Sequence, residues 1–81
     1  MPLVQITGVG NYLTLEQKQE IIRKVTDAVV SVEGEGLRPV TWVTIQDVQP
    51  GAWGVGGNPV TDDDLRAMAA ASPAARPAVP A

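Results

Sequence analysis

The chain has no cysteine, no histidine and no phenylalanine, and its aromatic content is 4%. Without cysteine there are no disulfides and no thiol nucleophile, and without either residue the usual zinc ligand sets are missing. The imidazole base, the commonest proton carrier near neutral pH, is missing as well. Any catalysis therefore falls to carboxylates, to the single tyrosine Tyr12, to a few lysines and arginines, or to the chain's own N-terminus. Positive charge is also scarce, with six Lys and Arg against nine Asp and Glu and a net charge of −3 at pH 7. No basic stripe or aromatic platform is present, so nucleic acid is not an expected partner. Long apolar runs are absent too. No segment approaches the roughly 18 residues of a spanning helix, and residues 1 to 20 lack the charged start and apolar middle of a signal peptide. A cytoplasmic protein with no membrane contact is the expectation.

What is present is one small domain. A chain of 81 residues hides only about 60% of its unfolded surface on its own, so further burial by self-association is expected. Residues 2 to 9, P-L-V-Q-I-T-G-V, alternate as a strand does, with Leu3, Gln5 and Thr7 on one face and Val4 and Ile6 on the other. Thr14 with Gln17 three positions on is a capping-box spacing, and Glu16 lies in the first turn where a negative charge is favoured. The spacing predicts a helix from Leu15 to about Glu33 with an apolar stripe of Ile21, Ile22, Val25, Ala28, Val29 and Val32, stopped at Gly34. E-G-E-G-L-R-P reads as a loop, and V-T-W-V-T-I-Q-D-V, residues 40 to 48, as a second strand with Val43 and Ile45 facing one way.

Strand, helix and strand make a β-α-β unit with parallel strands. Two strands and one helix cannot enclose a core, so the open sheet face and edges call for other copies of the chain. Residues 49 to 57, Q-P-G-A-W-G-V-G-G, carry four glycines around Trp53 and suit a tight hairpin packed on a neighbour. The fold class is α+β, a short β-α-β protomer with a C-terminal hairpin over residues 2–60, assembling into shared sheets. Beyond it, Thr61 can cap a short helix over 61–71, with Asp62, Asp63 and Asp64 at its positive dipole end. Adjacent aspartates on a helix point in different directions, so no metal site is read from them. Residues 72–81, rich in proline and alanine, read as an extended or disordered tail.

Pro2 directly after Met1, the P-L-V-Q-I strand, the L-E-Q-K-Q-E-I-I-R-K-V-T-D-A-V helix and the W-G-V-G-G turn resemble the 4-oxalocrotonate tautomerase family over residues 2 to about 60. The resemblance implies a β-α-β protomer that pairs into dimers and assembles as a hexamer, with the N-terminal proline as catalytic base. Pro2 is the matching residue, exposed once Met1 is removed, and Trp53 matches the aromatic wall before the glycine turn. The activity so implied is an isomerase moving a proton between enol and keto forms of a small 2-oxo or 2-hydroxydienoic acid, with no cofactor and no metal. The same resemblance leaves open a proline-dependent lyase or dehalogenase, and a non-catalytic oligomeric module. The last is raised by a departure. The two arginines with which the family binds substrate carboxylates match Leu13 and Trp42 here, neither of which pairs with a carboxylate. Arg38, the one arginine of the resembling region outside the helix, is the candidate replacement, and Tyr12 a candidate hydrogen-bond donor near the pocket.

Overall fold

Alternating burial along two segments sets the architecture. In a computed structural model, which describes residues 1–71, strand β1 (Leu3–Val9) and strand β2 (Trp42–Val48) pair in parallel, from Leu3 opposite Trp42 to Val9 opposite Val48. Val4, Ile6, Val43 and Ile45 turn inward, while Leu3, Gln5, Thr7, Trp42, Thr44 and Gln46 stay exposed. The pairing runs one bond past each end: Trp42 N–H donates to the Pro2 carbonyl at 2.9 Å, and Gly10 N–H to the Val48 carbonyl at 2.6 Å.

Helix α1 (Leu15–Glu33) connects the strands. Its start carries the expected capping box: Thr14 Oγ1 accepts from Gln17 N–H at 3.1 Å, and Gln17 Oε1 accepts from Thr14 N–H at 2.9 Å. It ends at Gly34, whose φ of 122° is open to glycine without strain. The buried face differs in detail from the expected stripe. Val30, at 3% exposure, is the most hidden residue, while Val32 is 87% exposed and Ala28 is exposed as well. Val32 is about 200° around the helix axis from Val30, so one face cannot hold both. At the far end of the sheet Lys18 pairs with Asp47 of β2.

The stretch after α1, expected as a loop, is a 3-10 helix over Glu35–Val40. Arg38 accounts for it. Its guanidinium bonds Glu35 three residues back through Nε and Nη2, at 2.5 and 3.3 Å, and reaches Asp27 on α1 through Nη1 at 2.7 Å. A short 3-10 helix of about two turns, whose backbone bonds have poorer geometry than an α-helix's, is thereby tied to the preceding one.

After β2 the chain forms the hairpin β3 (Trp53–Val55) and β4 (Asn58–Val60), antiparallel. Gly56 and Gly57 connect the strands with φ of 58° and 83°, the two positive values that a type I′ turn requires. Helix α2 (Asp62–Ala70) follows, capped by Thr61 in a second capping box with Asp64. Residues 72–81, expected as a tail, lie outside the described residues.

The result is an α+β fold whose sheet has only one covered face. Among the described residues the buried apolar side chains are Val9 and Val30, and no large side chain is fully enclosed. No described helix is long and apolar enough to cross a membrane.

Candidate active site

Parallel strands give the unit two chemically distinct ends. At the end where β1 and β2 begin lies Pro2, half-buried, its carbonyl fixed by Trp42 N–H. The 3-10 helix leads into the same end and brings Arg38 with it. Trp42, 58% exposed, stands beside Leu3 on the open face. At the opposite end, where the strands finish, lie the β1–α1 loop with Tyr12 and Leu13 and the hairpin with Trp53, all three half-buried. Seven-residue strands separate the two ends by about 20 Å. Pro2 and Arg38 are thus brought to one end, Tyr12 and Trp53 to the other, and one chain does not unite all four.

Arg38 is not a free cation. The hydrogen bonds it donates to Glu35 and then to Asp27 raise its pKa further above an already high value, and the bond from Arg38 in turn holds the Glu35 carboxyl below the ordinary glutamate range. Three of its N–H groups point at carboxylate oxygens, so an incoming substrate carboxylate has to compete with two residents. The acidic triplet at α2 is likewise committed. Asp64 caps Thr61, while Asp62 and Asp63 both accept from Arg66. The Arg66 bond is the main cause of a lowered Asp62 carboxyl and a raised Arg66 guanidinium.

Arg66 is a residue that composition and spacing alone did not single out. Its Nη2 donates to the Asn11 carbonyl at 2.6 Å, across 55 positions of sequence. The available signal was the Asp62–Arg66 i,i+4 spacing, acid before base, which orients a guanidinium along the helix. Nothing in that spacing names Asn11.

The family model for tautomerase enzymes matches residues 2–63, the stretch from Pro2 through the hairpin. The chain belongs to the tautomerase family. It is 40% identical over 63 residues to a Dickeya dadantii protein named a probable tautomerase, covering 76% of this chain and 91% of that one. Among solved structures, a 4-oxalocrotonate tautomerase isozyme from Methylibium petroleiphilum is 36% identical with a TM-score of 0.64, over 79% of this chain and 97% of that one. A chain of the heterohexameric 4-oxalocrotonate tautomerase from Chloroflexus aurantiacus is 30% identical with a TM-score of 0.65, over 82% of this chain and all of its own length, 100%. The tautomerase fold of these neighbours is the β-α-β arrangement seen here, and a tautomerase-like, isomerase-type activity follows at that level.

Proposed function

We propose that this tautomerase transfers a proton between the enol and keto forms of a small 2-oxo or 2-hydroxydienoic acid, with Pro2 as the general base once Met1 is removed. The observation that carries the proposal is the anchoring of Pro2. Its carbonyl is bonded by Trp42 N–H at the head of β2, which leaves the ring nitrogen as the chain's first atom at a half-buried position. An α-amino group titrates at about 8 in model compounds, so it is an amine of which a neutral fraction is present at pH 7. A base with a pKa near the working pH can lift the enol proton and return it to carbon, so one nitrogen serves both steps.

The site is completed by a second copy. The open sheet face, with Leu3 at 55% and Trp42 at 58% exposure, and the exposed Val32 of α1 supply apolar surface for homo-oligomerisation. The Chloroflexus relative is a heterohexamer, and a homo-oligomer, dimer or hexamer, is proposed here. Trp53 and Tyr12 of a neighbouring copy then face Pro2. Trp53 walls the site with an apolar surface that excludes water and strengthens the electrostatics within, and Tyr12 donates a hydrogen bond to substrate. Arg38 is carried by the 3-10 helix that leads into Pro2's end and is held between Glu35 and Asp27. The setting proposed is cytoplasmic, on composition alone.

Ketonisation of phenylenolpyruvate, followed in the ultraviolet together with intact-mass measurement, tests the proposal. Activity from a species beginning at Pro2 is expected. Activity undiminished in protein that retains Met1 refutes the mechanism, because an acylated proline nitrogen has no basicity. No turnover from the processed chain favours the non-catalytic module, a reading supported by Leu13 and Trp42 in the arginine positions and by the engagement of Arg38.

A further inference from the structure

Helix α2 carries an arginine, Arg66, that bonds the loop holding Tyr12, and Arg66 lies past residue 63, where the family match ends. That loop, Asn11 to Leu13, is fixed at both margins. At its start Gly10 is bonded to Val48, and a Cβ added there would meet the Val48 carbonyl oxygen at 3.1 Å and Pro50 Cδ at 3.4 Å. At its end Thr14 is locked into the α1 capping box. Between the margins Asn11 adopts φ 65°, a left-handed conformation that asparagine tolerates better than most residues but that sets the direction of everything after it. The Asn11 carbonyl and the Tyr12 N–H belong to one rigid peptide plane. Whatever holds that carbonyl therefore orients the step into Tyr12.

Arg66 Nη2 is what holds it, at 2.6 Å. The guanidinium is aimed by Asp62, one turn back, at 2.5 Å and by Asp63 at 3.2 Å, both on Nη1, so the second nitrogen is left for the loop. The capping box of Thr61 and Asp64 in turn fixes the first turn from which those aspartates project.

We infer that Arg66 is a positioning residue: α2 is a strap that fixes the Asn11–Tyr12 peptide and so presents Tyr12 and Leu13 to the substrate bound at a neighbouring copy's Pro2. The substrate part rests on the function proposed above, whereas the strap stands on this chain alone. Its effect is on how substrate is held rather than on the proton transfer, because Arg66 acts through the loop and touches neither Pro2 nor its reacting proton.

The test compares full-length wild type, Arg66→Ala and Arg66→Lys by 15N relaxation of the backbone amides and by steady-state ketonisation of phenylenolpyruvate. Alanine is the strongest helix former, so α2 persists in the first variant; should that variant fail to fold, Arg66→Gln carries the same comparison. In Arg66→Ala the order parameters of Asn11, Tyr12 and Leu13 are expected to drop from about 0.85 to about 0.6 or below, with β1 unchanged. KM is expected to rise about fivefold with kcat altered less than about twofold, the signature of lost uniform binding. Arg66→Lys, which keeps a cationic donor without the fork, should recover part of both losses. Unaltered order parameters at residues 11–13 overturn the strap whatever the kinetics. A loosened loop with unchanged KM overturns its connection to substrate. Wild-type protein that turns over no enol refutes the proposed function instead, and the relaxation measurement then decides the strap by itself.

Discussion

The two ends of the β-α-β unit are built on different principles. At the Pro2 end the decisive contact is main chain to main chain, the Trp42 N–H on the Pro2 carbonyl, and the charged residue nearby is absorbed by α1 and by its own 3-10 helix. At the Tyr12 end the loop is held by a side chain from a separate helix, Arg66 on Asn11, and the aromatic residue sits on a glycine-turned hairpin. On the function proposed above, the base is therefore held by main chain, while the loop that carries Tyr12 is held by a side chain. A site composed of one end from each of two copies separates the chemistry from the recognition.

The largest effect expected from breaking this division is at the base. Pro2→Ala should retain the assembly yet lower kcat/KM for enol ketonisation by about 10² to 10⁴-fold, the usual worth of a positioned acid-base group. Activity equal to wild type would place the chemistry away from this end altogether. Next comes the assembly that unites the ends. Leu3→Asp places a charge on the open sheet face opposite Trp42, and size-exclusion chromatography with light scattering should show the wild-type dimer multiple giving way to smaller species, with activity falling in step. Wild type running as a folded monomer at micromolar concentration would leave each Pro2 without the other end.

Trp53→Ala tests recognition by itself. Loss of the aromatic wall should raise KM by about tenfold, equivalent to some 1.4 kcal/mol of binding, with a smaller change in kcat. A selective fall in kcat would instead assign Trp53 to the transition state. The smallest effect is expected at Arg38. Because its guanidinium is already shared between Glu35 and Asp27 at an exposed position, Arg38→Ala should leave KM within about threefold of wild type. A tenfold rise would show that Arg38 leaves its resident carboxylates to take the substrate's.

The elements were legible where the pattern is local. Alternation gave β1 and β2, the Thr14–Gln17 spacing gave the start of α1, and the glycine-rich residues 49 to 57 gave a hairpin around Trp53, because each is governed by neighbours within a few residues. The 3-10 helix was not, since Glu-Gly-Glu-Gly-Leu-Arg-Pro reads as loop until Arg38 is seen to grip both Glu35 and Asp27. The same blindness applies to the site. Arg38 looked unengaged because its second partner lies eleven positions away on α1, and Arg66 was not singled out because its partner Asn11 is 55 positions distant. The substitution of Val30 for Val32 on the covered face is a smaller instance, in which two valines of equal propensity differ only in angular phase.

The Trp42 N–H on the Pro2 carbonyl has a consequence for how such a protein can be altered. Every residue except proline offers that same N–H, so nineteen of the twenty amino acids at position 42 (about that many, by the donor count) keep the proline ring where it is. The bond survives a change of side chain, but the indole at 42 lies beside Leu3 on the open face, so such a change is felt by whatever covers that face rather than by the Pro2 carbonyl.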